Sequence, residues 1–129
     1  MNILSILMVG IGGFVGSCSR YMLTIMFEKS NAEFPFGTLM SNVIAALLIG
    51  FIIGMERQSP VLSHNVKLFL TTGLLGGLST FSTFSMETVY YFENGKFILA
   101  AGNILLNLGL CLVCVCIGLA VSRLLVKNA

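Results

Sequence analysis

The chain has 129 residues, 57% of them hydrophobic and only 9% charged, with a mean hydropathy of +0.99. Soluble domains carry about 25% charged residues, and a chain this small buries too little surface to hide so much apolar material. Disorder needs the opposite balance, and a net charge of +2 gives no footprint for nucleic acid, so composition leaves an integral membrane protein.

Met1–Ser19, Phe36–Met55, Leu68–Met86 and Phe97–Ser122 contain no Asp, Glu, Lys, Arg or His; they hold 19, 20, 19 and 26 residues. About 20 apolar residues cross a bilayer as a helix. The four runs take 84 of the 129 residues, which leaves no room for a soluble domain. Lipid offers the backbone no hydrogen-bond partners, and continuous rather than alternating apolar runs select helices over a barrel.

The first span is expected over about Asn2–Phe27, with Arg20 near its far end. No cation precedes it, so a cleaved signal peptide is not expected. A polar link with Glu28, Lys29, Asn31 and Glu33 closes at Pro35. The second span runs over about Phe36–Met55, and its link carries Glu56, Arg57, Pro60 and His64. The third covers about Lys67–Phe92, Glu93-Asn94-Gly95-Lys96 reads as a tight turn, and the fourth covers about Phe97–Leu125. The whole chain, 1–129, then forms one four-helix transmembrane domain.

Lys and Arg divide almost evenly between the two faces: Arg20, Lys29 and Lys96 against Arg57, Lys67, Arg123 and Lys127. The positive-inside rule therefore gives little bias, and insertion in both orientations, with an antiparallel dimer, competes with one weakly signalled topology. Gly12xxxGly16 and Gly50xxxGly54 fit close helix packing in lipid. Gly10-Ile11-Gly12-Gly13 lacks the spacing and the preceding strand of a dinucleotide loop. Cys18, Cys111, Cys114 and Cys116 all lie inside spans and read as small packing residues. His64 reads as solvated.

The third span concentrates the polar signal. Gly73, Gly76 and Gly77 loosen the helix, since each costs about 1 kcal/mol against Ala. Ser79, Thr80, Ser82, Thr83 and Ser85 follow and can rescue backbone groups freed by a break, which is tolerated only within protein or beside a water-filled cavity. The alternative is an unbroken helix with a small-residue seam. Phe81 and Phe84, three apart, share a face if helix resumes after Gly77. Phenyl edges are positive and can approach an anion without gripping it; two core or lipid-facing rings are the alternative. Asn42, with Thr38 one turn earlier and Ser41 beside it, must face a partner helix or a pore, because an unpaired amide in hydrocarbon costs several kcal/mol. Asn103 and Asn107, four apart and extended by Cys111, either donate N–H groups to an anion or tie helices together. Arg20 and Glu87 read as functional because intramembrane charges are expensive, with Arg20 holding a vestibule positive or pairing with Glu87.

Gly76-Gly77-Leu78-Ser79-Thr80-Phe81-Ser82-Thr83-Phe84-Ser85 resembles the signature of the Fluc fluoride channels, also called the CrcB family. Gly37-Thr38-Leu39-Met40-Ser41-Asn42 resembles that family's second motif, and Gly12-Gly13 with Gly16 and Arg20-Tyr21 its first. The resemblance implies an all-α, dual-topology antiparallel homodimer with a broken third helix, in a bacterial inner membrane, whose two pores passively export fluoride. It implies that Phe81 and Phe84 supply ring-edge contacts and Asn42 a pore-lining donor. Ser82 and Thr83 would line the route near the break, and Arg20 would sit at the vestibule. Carbonyls of Gly76 and Ser79 from both subunits would hold a central structural Na⁺. Asn107 and Cys111 match the family's polar line on the fourth span, where a cysteine replaces an expected hydroxyl. A small multidrug-type proton-coupled transporter is the alternative, but the first span has no acid before Glu28. A non-transporting assembly protein would leave the polar third span unexplained, and no enzyme triad, metal cluster or phosphate loop is apparent.

Overall fold

The computed structural model describes residues 2–29, 32–60 and 62–127, with residue 127 described by its backbone alone, and every regular element among them is helical. In chain order, α1 spans Ile3–Glu28, α2 Phe36–Gln58 and α3 His64–Leu68. A π-helical segment, Phe69–Leu75, follows directly and leads into the single turn α4, Gly76–Leu78. After two extended residues come α5, Phe81–Glu93, and α6, Phe97–Lys127. Three of these are long and apolar enough to cross a membrane, over Ile3–Glu28, Phe36–Gln58 and Phe97–Val126. The third apolar stretch is the one that is divided. Large apolar side chains such as Ile3, Phe14, Ile98 and Leu105 are exposed at 71–89%, as expected where lipid replaces a hydrophobic core.

Glycine sets how the helices meet. Gly12 and Gly16 of α1 lie against the backbone of Phe69 and Leu74 in the π segment. A methyl group on Gly73 would come within 2.8 Å of the Val9 carbonyl oxygen, and one on Gly77 within 2.7 Å of that of Gly13. α1 and the first half of the third stretch are thus in backbone contact along one seam. A second seam joins α2 and α6, where Gly50 and Gly54 meet Val115 and Ser122, and Gly118 meets Leu47. Both expected Gly-xxx-Gly pairs therefore pack helices at close range, where dispersion and small-residue fit replace a hydrophobic driving force. The π segment lies in the same seam, and Gly73 within it and Gly77 just beyond it both abut α1.

The short connections are fixed by local chemistry. Ser63 caps α3, its hydroxyl accepting from the Val66 N–H. Lys67 pairs with Glu56 at 3.5 Å, and Leu62 N–H donates to the other carboxylate oxygen of Glu56 at 2.9 Å, closing the α2–α3 link. Between α5 and α6, Gly95 has φ +71°. Its N–H donates to the Phe92 carbonyl at 3.1 Å and that of Lys96 to the Tyr91 carbonyl at 2.8 Å, the paired bonds of a left-handed glycine cap. Lys96 also pairs with Glu33, whose hydrogen bond holds the ammonium proton above the usual lysine range. Gly95→Ala should lower stability by about 1–2 kcal/mol, the cost of a Cβ in this region. The midpoint of thermal unfolding in detergent reads this, and an unchanged midpoint would contradict the cap.

Candidate functional site

The break falls at Ser79 and Thr80, just beyond the glycines. Both have extended ψ values, 153° and 112°. Thr80 then restarts the helix as its N-cap, its hydroxyl accepting from the Thr83 N–H at 3.2 Å. Ser79 N–H still reaches the Leu75 carbonyl at 3.0 Å, but Thr80 N–H turns away and donates to Oδ1 of Asn42 at 2.7 Å. The same amide donates through Nδ2 to the Thr80 carbonyl at 3.3 Å. Asn42, on α2, thus holds both backbone polar groups of Thr80, on the two peptide units that flank it at the break. A freed buried N–H without such a partner would cost about 1–3 kcal/mol.

Asn42 is the end of a longer chain. Its Nδ2 donates to Asn107 Oδ1 at 2.9 Å. Asn107 donates to the Asn103 side-chain oxygen at 2.9 Å and backbone oxygen at 3.1 Å. Asn103 donates to Thr88 Oγ1 at 2.9 Å and the Phe84 carbonyl at 3.4 Å. Three side-chain amides from two helices therefore link the break to the middle of α5, and the N–H groups of Asn42 and Asn107 are all engaged in this network.

Phe81 and Phe84 lie on one face of α5, with ring centroids 5.4 Å apart and planes at 57°. Phe84 is 6% exposed and Phe81 73%. Both border a cavity of about 390 Å³ whose polar wall includes Asn42, Thr71, Ser79, Thr80 and Asn107, and whose apolar wall includes Ala45, Ile49 and Leu108. Gly76 and Cys111 also line it, and no charged side chain does so among the described residues. Ser82 and Thr83 are not part of this wall. Ser82 is exposed, and both hydroxyls lie against Thr80 Oγ1, at 3.3 and 2.9 Å. The site residues of the third stretch thus divide between a cavity wall and a helix cap.

The break also frees acceptors. In an unbroken helix the N–H groups of Thr80 and Thr83 would cover the carbonyls of Gly76 and Ser79. Here they donate to Asn42 Oδ1 and Thr80 Oγ1 instead. The residues present fit a hard monovalent cation, which is held by neutral oxygens of this kind.

Arg20 and Glu87 do not pair. Glu87 Oε1 accepts from the Thr38 hydroxyl at 2.6 Å, and its second oxygen, Oε2, is buried with no hydrogen-bond partner. Arg20 is half-buried on α1, and its Nε is also buried without a partner. Thr38 and Glu87 border a smaller cavity of about 180 Å³ near Glu28 and Glu33. Thr80, one of the hydroxyls expected to rescue a break, does so as the cap of α5, whereas Thr88, which also holds the site together, was not expected to take part. A threonine where a helix restarts is a favoured N-cap residue, the one local signal for Thr80. Nothing local distinguishes Thr88.

A family model described as CrcB-like protein, Camphor Resistance (CrcB), matches residues 7–119. A Clostridium perfringens protein named fluoride-specific ion channel FluC is 49% identical over 125 residues, 96% of this chain and 98% of its own length. Proteins of the same name from Clostridium novyi and Paraburkholderia xenovorans are 44% and 43% identical, covering 92% and 94% of this chain and 93% and 96% of their own lengths. These relatives are named as channels rather than enzymes. The matched segment contains the glycine seams, the break, both phenylalanines and the asparagine network, and the chain belongs to the CrcB family.

Proposed function

We propose that the protein is a passive fluoride channel of a bacterial inner membrane that lets cytoplasmic fluoride leave and so limits its toxicity. The observation that carries this reading is the uncharged cavity beside the broken third stretch, bordered by two phenyl rings and several neutral dipoles. Moving a small anion into a low-dielectric medium costs tens of kcal/mol if nothing replaces its water. Phe81 and Phe84 offer positive ring edges, and Asn42 offers an amide donor held in place by Asn107 on the cavity wall. The 3.3 Å contact of Asn42 with the Thr80 carbonyl is its longest and the easiest to give up to an ion. Ser82 and Thr83, at the positive N-terminal end of α5, continue the route past the cap. Each contact is weak, so an ion that enters can also leave. Arg20 keeps the vestibule attractive to anions while standing outside the cavity wall.

In this reading the third stretch completes a fourth crossing, and two copies pair antiparallel, each subunit inserted opposite to the other, to give two pores. The nearly balanced Lys and Arg distribution supports such insertion. Gly76 and Ser79 carbonyls from both copies would hold a structural Na⁺ at the centre, where its charge raises the local potential for an anion. Topology is tested by a single reporter, Ser59→Cys, with Cys18, Cys111, Cys114 and Cys116 replaced by alanine. Dual insertion predicts labelling by impermeant reagent from both membrane faces; one-sided labelling would contradict it.

A small multidrug-type proton-coupled transporter remains the competing class. Purified protein in liposomes separates the two: the channel reading expects fluoride release driven by the fluoride gradient alone. Proton-driven uptake of organic cations, without fluoride release, would favour the competitor.

A further inference from the structure

We infer that Asn103 is a positioning residue for permeation, the buried end of a one-way amide relay that holds Asn107, Asn42 and the broken peptide in register. The inference rests on the fluoride-channel reading and assigns a role to a side chain that is 0% exposed and does not line the cavity.

The direction of the relay follows from donor and acceptor chemistry. Thr88 Oγ1 donates its one proton to the Phe84 carbonyl at 2.8 Å, so towards Asn103 it can only accept. That turns the Asn103 Nδ2 towards α5 and leaves its Oδ1 for Asn107. Asn107 must then present its own Nδ2 to Asn103, which leaves its Oδ1 for Asn42. Asn42 in turn presents Nδ2 to Asn107 and keeps Oδ1 for the Thr80 N–H, 38 residues away in sequence. Reversing any one amide would set donor against donor or acceptor against acceptor at both of its ends. Asn103 also holds the Phe84 carbonyl, so one side chain ties the backbone of a cavity-lining ring to the break. A residue that only filled space would need none of this. A buried network of this kind is stiff when complete and strained when one member is lost.

The test compares fluoride efflux from liposomes for Asn103→Leu, Asn107→Leu and the double variant, each checked for assembly by size exclusion. The relay predicts that each single change slows efflux by about tenfold or more, and that the double is no slower than the worse single within about twofold, as expected for residues acting as one unit. Asn103→Asp serves if the leucine variant does not fold, and it adds a readout that space-filling would not move. Its protonated carboxyl reproduces one donor and one acceptor. An ordinary aspartate would stay ionised there, but full burial favours the neutral acid, so efflux should recover as pH falls from about 7.5 to about 5.5, while the wild type, corrected for protein-free vesicles, changes little. Wild-type rates in an assembled Asn103→Leu, losses that multiply in the double, or a pH-independent defect in Asn103→Asp would each overturn the role. Wild-type vesicles that retain fluoride would overturn the channel reading itself, a result distinct from a conducting wild type indifferent to Asn103.

Discussion

Phe81→Ile and Phe84→Ile should each leave the protein assembled and slow fluoride efflux by at least about tenfold, equivalent to about 1.4 kcal/mol in the barrier. Isoleucine keeps most of the apolar bulk and removes the positive ring edge. An edge contact between two rings is worth on the order of 0.5–1.5 kcal/mol, and the same quadrupole acts on a full anionic charge, so the loss of one contact falls at or above the top of this range. The two positions should differ in stability. Phe84 is 6% exposed, so its replacement leaves a void and lowers the unfolding midpoint, whereas Phe81, 73% exposed in the single chain, should affect rate with little effect on the fold of the subunit. Vesicle efflux and detergent unfolding, measured on the same preparations, separate these effects. Full transport in both variants would contradict the ring-edge role.

The second large effect is expected at Asn42. Asn42→Leu leaves the Thr80 N–H and the Asn107 Oδ1 without the partner they have now. Each buried, unsatisfied group costs about 1–3 kcal/mol, so the combined loss should be several kcal/mol, near the limit that a small domain survives. Asn42→Asp is the sharper comparison. It keeps an acceptor for Thr80 but sets a carboxylate oxygen against Asn107 Oδ1, acceptor facing acceptor. Both variants should unfold at lower temperature than the wild type and lose most fluoride efflux. A stable, conducting Asn42→Leu would show that the break does not depend on this amide.

The helices were legible because charge is so scarce. The spans drawn around the charge-free runs, Asn2–Phe27, Phe36–Met55 and Phe97–Leu125, lie within about three residues of α1, α2 and α6, the ordinary uncertainty of helix ends. The glycines at 73, 76 and 77 mark the neighbourhood of the break but not its position. The chain leaves helical geometry at Ser79 and Thr80 because Asn42, on another helix, takes the Thr80 N–H. No local propensity encodes that contact. The π turns at Phe69–Leu75 were equally invisible, since they lie in a seam where Gly73 meets the backbone of α1, a contact that no local pattern encodes. The i, i+4 spacing of Asn103 and Asn107 put both on one face of α6, yet the direction of their hydrogen bonds depends on Thr88, in a different helix. Arg20 and Glu87 stood out by charge alone, but the hydroxyl that Glu87 takes comes from Thr38, 49 residues away.

The central claim is that a cavity lined by ring edges and neutral dipoles passes fluoride selectively. Its most direct measurement is the initial rate of halide release from vesicles of purified wild-type protein, loaded with potassium fluoride or potassium chloride and opened to potassium by an ionophore. The account predicts rapid fluoride release and chloride release indistinguishable from that of protein-free vesicles. Equal release of the two ions, or retention of both, would contradict it.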